Sequence, residues 1–408
     1  MTPATDPIAV DDYPVPVNPP TRRLETVDML RGLLMVLMAL DHTRDYFGVP
    51  TPDPTNPLHS WPALFLTRWV THLCAPGFVA LAGTSVYLQR KRGKSQKQIC
   101  KLLVTRGLWL VFMELTVVDF GWAFSWSPFL QVIWAVGISM VVLGLLQWLP
   151  VVVVGAVGAA IVVLHNLLDP FHGPASGMGA DLWKMLNEPG MLTYHGHPEM
   201  FLFYPALAWI GVICLGYAFG PVVASARELR RVAVPALGLC LLAAFSLLRI
   251  FQPFHGYGDS YHFQHLATTT ETEMSFWQVQ KYPPSLDYVL ATFGVLLLIY
   301  AVFDWFSSHD VLPRARHVIE TYGRVPFFYY VLHIYLLHAV ATLVTLDVVG
   351  NVHSMIGESA MEAAGRGWGV GLPAVYAIWL SVVVVLYWPS LWFSRVKARR
   401  RDWWISYL

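Results

Sequence analysis

The sequence predicts an all-α fold, a polytopic transmembrane helical bundle of about ten spans, and three observations predict it. Apolar residues make up 56% of the 408 and charged residues only 13%, about half the charged share of a soluble domain. Apolar runs recur, each approaching the roughly 20 residues that cross the hydrocarbon core of a bilayer. Basic residues gather in alternate connecting segments, as the positive-inside rule requires of a multi-pass chain.

The runs fall at about 27–47, 63–88, 102–120, 129–148, 151–168, 204–222, 232–250, 286–306, 325–347 and 371–393. With the N-terminus inside, the cytoplasmic segments collect Arg22 and Arg23, then QRKRGKSQKQICK, ARELRR, RAR and RVKARRR. The outer segments hold Arg44, Lys184, Lys281 and Arg366, with Arg68 close to the start of the second run. This alternation persists along the chain, so both termini are expected in the cytoplasm. Residues 1–21, rich in proline and acids, read as a disordered cytoplasmic tail, 22–394 as the membrane domain and 395–408 as a basic cytoplasmic tail. The opening MTPATDPIAVDDYPVPVNPP lacks the basic flank and apolar centre of a cleaved signal peptide.

The four cysteines, Cys74, Cys100, Cys214 and Cys240, lie in or beside apolar runs and read as small buried hydrophobes. Trp and Tyr clusters such as WAFSW and RRDWWISYL read as interfacial belts. Two long outer loops, about 169–203 and 252–285, are rich in His, Gly, Pro and aromatics and are expected to cap an outward-facing cavity. No internal repeat is visible.

The first run departs from a plain anchor. It carries Asp28 and Arg31 near one end and Asp41, His42, Arg44 and Asp45 near the other, although an ionised side chain at a helix centre costs roughly 2.5–3.5 kcal/mol on insertion scales. Arg31 and His42 are eleven residues apart, so they share a face about 16 Å apart along the axis. Asp28, one turn before Arg31, can pair with it. Asp45 follows His42 at the next turn, whereas Asp41 points roughly 100° away. A carboxylate on one imidazole nitrogen raises the basicity of the other, as a general base requires. The plainer alternative leaves Arg44 and Asp45 among headgroups and Asp28 as a helix cap.

These residues also carry a resemblance. VDMLRGLLMVLMALDH supplies Asp28, Arg31, Gly32 and His42 at the spacings of an Asp-x-x-Arg-Gly start followed by a His. With RWVTHLCAPGFVALAGTSVYL, KYPPSLDY and GRVPFFYYVLH, the chain resembles the membrane acyltransferases of the heparan-α-glucosaminide N-acetyltransferase-like family. More distantly it is similar to the acyltransferase-3 group, which O-acetylates envelope glycans. The pattern departs from the first family at Asp41-His42, where an Asn-Tyr-Gly is usual, at His59-Ser60-Trp61 and at His72.

The resemblance implies an integral membrane enzyme that moves an acetyl or short acyl group from cytoplasmic acetyl-CoA to a sugar or glycan at the outer face. It implies His42 as general base or acyl carrier, with Asp41 or Asp45 orienting it and His72 assisting. The donor would meet Asp28, Arg31, Arg324, Tyr329 and His333; the acceptor would meet Arg44, Lys281 and Tyr282. Acyl-CoA, a glycan acceptor and the lipid bilayer are the implied partners. Nucleic acid is not expected, a homodimer is compatible, and the location implied is the cytoplasmic (inner) membrane.

Each of these residues also has a simpler use. His72, one turn after Arg68, can serve as an interhelical hydrogen bonder, and Lys281 can snorkel at the interface. Paired prolines in KYPPSLDY are expected to start the eighth span, and Pro76 is expected to kink the second. His333 and His338, five apart, make a poor metal pair. His195, His197, His262 and His265 lack evident further ligands, so no metal is expected. Nucleotide-binding glycine loops and a G-x-S-x-G elbow are absent from the sequence. The rival from another class is a secondary transporter using the same Asp, Arg and His as a relay.

Overall fold

The computed structural model describes residues 22–349, except 52, 127, 195–196 and 254–256, then 368–400 with 402, 405 and 407. The tail over 1–21, the His195-Gly196 pair, Arg366 and most of the C-terminal aromatic cluster lie outside the described residues.

Every predicted run contains helix. The first is α1 (Arg22–Phe47), unbroken for 26 residues. The second divides into α2 (Pro62–Thr71) and α3 (Cys74–Lys91). Pro76 explains the break: it lacks the N–H that would bond the His72 carbonyl four residues earlier. That carbonyl accepts the Tyr288 hydroxyl instead, at 2.8 Å.

The third run is α4 (Gln96–Met113), a π turn over Glu114–Val118 and α5 (Asp119–Ala123). The chain continues through α6 (Val132–Leu146) and α7 (Val151–Leu164). The first long loop holds α8 (Met178–Asn187) and strands β2 (Gly190–Tyr194) and β3 (His197–Leu202), which form a sheet with β1 (Phe129–Leu130) in the order β1-β3-β2. β1 runs parallel to β3 and β2 antiparallel to it.

Then come α9 (Ala206–Val223), α10 (Arg227–Phe251), α11 (Thr269–Trp277) and α12 (Leu286–Ser308). The chain ends in α13 (Pro313–Arg324), α14 (Pro326–Val349) and α15 (Leu372–Arg399). The prolines of KYPPSLDY precede α12 rather than open it. Ser285 is the N-cap and accepts the Tyr288 N–H, the task for which a hydroxyl is favoured.

Among the described residues, seven helices are long and apolar enough to cross a membrane: 62–91 taken together, 151–168, 206–223, 227–251, 286–308, 326–345 and 372–399. The remaining three predicted runs form helices that are charged, as α1 and α4 are, or short, as α6 is at 15 residues.

α1 is the axis of the bundle. It packs against α2, α3, α12, α13, α14 and α15, and of its charges Asp28, Arg31, Asp41 and Arg44 are largely enclosed by protein, whereas Asp45 is exposed. Its closest neighbour is α13. A methyl group on Gly32 would overlap the Ile319 carbonyl, and one on Gly323 would overlap the Asp28 carbonyl. Small residues permit such backbone approach in membranes.

Candidate active site

The last turns of α1 carry His42 into a cavity of about 830 Å³. Its walls come from α1, α2, α5, the 48–55 segment, the residues after β3 and the 279–282 segment. Both long loops predicted to cap a cavity contribute, the first through Phe203 and the second through Tyr261, Lys281 and Tyr282, with Tyr204 just beyond the first.

His42 Nδ1 lies 2.6 Å from His333 Nε2, and the two rings are nearly parallel, 9° apart with centroids at 4.9 Å. His333 Nδ1 is 3.1 Å from the Tyr329 carbonyl one turn earlier. A carbonyl only accepts, so a neutral His333 keeps its hydrogen on Nδ1 and presents a lone pair at Nε2. His42 must then donate from Nδ1, which leaves its Nε2 unprotonated. The chain of bonds sets the tautomer of the His42 ring. Trp122 packs edge-on to His42, with centroids at 4.8 Å. The α5 segment that supplies Trp122 is held by Tyr46, whose hydroxyl donates to the Trp122 carbonyl at 3.1 Å, and by His338, 2.8 Å from the Gly121 carbonyl.

The carboxylates expected to orient His42 are engaged elsewhere. Asp41 accepts from Arg68 at 2.7 Å, from Thr71 at 3.0 Å and from Arg44 at 3.0 Å. Asp45 pairs with Arg44 at 2.6 Å. The reason is that Arg44 and Arg68 offer these acids guanidinium donors, and such charge-assisted bonds are the stronger ones. The partner of His42 is therefore His333, which sequence reasoning had placed with the donor residues.

His72 sits at the break between α2 and α3, lines the cavity and is 2% exposed. Its Nδ1 is buried without a hydrogen-bond partner among the described residues. Lys281, 7% exposed, also lines the cavity, its ammonium 5.2 Å from the Tyr282 ring centre and 6.0 Å from that of Tyr204. Burial alone would raise the Tyr282 phenol, but Lys281 and Arg68 bring it below its ordinary value.

Residues 23–249 match the family described as heparan-alpha-glucosaminide N-acetyltransferase, catalytic. The chain belongs to this family. Among curated proteins, none matches it. The matched part of this transferase-family chain contains Asp41, His42, Arg44, Arg68, His72 and Trp122; His333, Lys281 and Tyr282 come from beyond it.

The other end of α1 is built differently. Arg31 donates to Asp28 at 2.9 Å, to the Gly323 carbonyl at 3.2 Å and to Ser85 at 3.1 Å. Arg324 pairs with Glu320 at 2.7 Å. Arg31, Asp28, Arg324 and Tyr329 do not line the cavity around His42. On the shared face between Arg31 and His42 lie Met35 and Met38, buried at 2% and 6% exposure. The polar stripe is thus two polar ends separated by packed methionines. Tyr329 stacks on His333, with centroids at 5.4 Å, and reaches the site only through that ring.

Sequence reasoning missed Trp122, Tyr204 and Asp119, all on the cavity wall. The available signal was the pair of acids inside the third apolar run. Asp119 is buried, and Glu114 accepts from the backbone N–H of Gln131 at 3.0 Å and of Trp134 at 3.2 Å. The π turn they bracket is the kind of helix defect that gathers at functional sites. Among the described residues, no group of three or more His, Cys, Asp or Glu could hold a metal ion.

Proposed function

We propose that the chain is an integral membrane acyltransferase that transfers an acetyl or short acyl group from cytoplasmic acyl-CoA to a hydroxyl or amine of a sugar at the outer face. The observation that carries this reading is the Tyr329 carbonyl–His333–His42 chain, which ends in an unprotonated Nε2 beside the cavity. His42 Nε2 takes the proton of the acceptor O–H or N–H as the acceptor attacks the thioester carbonyl. The tetrahedral intermediate collapses, the C–S bond breaks, and the CoA thiolate recovers the proton from His42. His333 Nε2 accepts the Nδ1–H of the imidazolium throughout, so the developing charge is shared.

Lys281, Tyr282 and Arg44 would hold the acceptor, with Trp122 and Phe203 offering faces for a sugar ring. His72 would assist from the α2–α3 break. At the other end Arg31 and Arg324 belong to a cluster that also contains Arg106 of α4 and Lys397 of α15 within mutual electrostatic reach. Asp28 and Glu320 match two of these cations, and Arg106 and Lys397 have neither hydrogen bond nor ion pair among the described residues. Such a surplus suits the phosphates of CoA. The thioester arm would have to part Met35 and Met38, which unbranched, flexible side chains allow. About ten spans with both termini cytoplasmic is the topology this requires.

The test is thiol release and labelled-acetyl transfer in nanodiscs, with glucosamine-type acceptors. His42→Ala is expected to lose about 10²–10⁴-fold in rate while inserting normally. A fully active His42→Ala overturns the mechanism, and solute flux without thioester consumption would make the protein a transporter.

A further inference from the structure

Away from the His42 cavity, the bundle divides into two tightly joined groups. In one, α9 meets α3 at Gly83 and Gly216 and meets α7 at Gly158 and Gly211; in the other, α10 meets α12 at Gly238 and Gly294. Between the groups runs a crevice of about 410 Å³, walled by apolar side chains such as Ala80, Ala159, Phe219, Leu241 and Phe293. Along α12 it extends from Leu286 to Tyr300, about 21 Å at the helical rise per residue.

Tyr300 also lines a second cavity, of about 340 Å³, walled by Arg230, Arg231, Asp304 and Trp305. Arg230 is 5% exposed and bonds Asp304 at 2.9 Å and the Ser225 carbonyl at 3.0 Å, yet its Nε is buried without a partner among the described residues. Arg231 is exposed, and no acid among the described residues pairs with it. Two cations against one carboxylate leave this cavity one positive charge in excess.

We propose that the two cavities together form a binding site for one anionic phospholipid. An acyl chain fills the apolar crevice, and the phosphate headgroup meets Arg231 and the free Nε of Arg230 beside Trp305. An amphiphile matches both halves: the long apolar slot would bind nothing charged, and the basic mouth favours a negative headgroup. The site is distinct from the cavity that holds His42, so it does not depend on the proposed acyl transfer.

The full chain, in nanodiscs of equal phosphatidylglycerol and phosphatidylcholine, is released into the gas phase and its retained lipid weighed. Enrichment of the anionic lipid of about fivefold is expected from one unpaired cation near the surface. Arg231→Glu should abolish the enrichment, and Ala159→Trp, which fills the crevice, should lower retention of both lipids. Equal retention of the two headgroups, or enrichment that survives Arg231→Glu, overturns the proposal. Displacement of the lipid by inorganic phosphate alone overturns it as well, because the chain would then contribute nothing.

Discussion

The two ends of α1 carry similar charges and use them in opposite ways. At the Arg31 end the charges close on one another and on backbone, around a glycine crossing so tight that a methyl group cannot enter. At the His42 end the acids are neutralised by Arg44 and Arg68, and that network borders open space. The lesson is that an ionic residue in an apolar helix does not by itself mark chemistry. What sets the His42 end apart is an imidazole beside a cavity, paired with a second imidazole rather than with an acid.

Four tests break or sharpen this contrast. The largest effect is expected from Gly323→Leu. Its side chain would run into the α1 backbone at Asp28, so the folded fraction in a thermal unfolding assay should collapse. A normal melting profile would show that the Arg31 end is less tightly packed than the structure has it. Next, Asp41→Ala leaves Arg68 without its acid in a largely buried site, while Arg44 keeps Asp45. Breaking a buried pair by removing one partner costs roughly 3–5 kcal/mol, less where solvent reaches it; Asp41→Ala with Arg68→Leu should recover part of that in a double-mutant cycle.

The third contrast lies within the imidazole pair. His333→Leu removes the acceptor of the His42 Nδ1–H while keeping an apolar core. Acyl transfer should fall by about ten- to a hundredfold, less than the roughly 10²–10⁴-fold expected for loss of the base itself. A shift of the pH–rate profile should accompany the fall, and an unchanged profile would reduce His333 to a packing residue. The smallest effect is expected at the Arg31 end: Arg106→Ala or Lys397→Ala should raise KM for acyl-CoA several-fold, about 1 kcal/mol of phosphate contact, with kcat unchanged. An equal fall in kcat would place these residues in the chemistry instead.

Much of the fold is legible in the chain because length and apolarity are local properties. Each predicted run overlaps a helix, and the Pro76 defect appears where a missing N–H must appear. Asp28 with Arg31 is legible for the same reason, being one turn apart on one helix. Lys281 and Tyr282 were readable as cavity residues from their place before α12, although the prolines beside them sit outside the helix rather than at its start. The partner of His42 was not readable. His333 lies 291 positions away in the chain, and local spacing cannot show that it, rather than His338, meets His42. Trp122 and Asp119 were hidden because a π turn rotates the end of the third run, and helical periodicity fails across such a turn.

By itself, then, the sequence determined an α-helical chain suited to a bilayer, the polar ends of its first helix and the family to which residues 23–249 conform. These follow from composition and short-range spacing, which the 3.6-residue turn converts directly into geometry. Only the tertiary structure decided that the two polar ends are separated by Met35 and Met38, that arginines rather than histidine take the carboxylates, and that His333 is the ring paired with His42. Those outcomes depend on which helices meet, and helices in a membrane meet through side-chain shape and glycine contact that no single segment encodes.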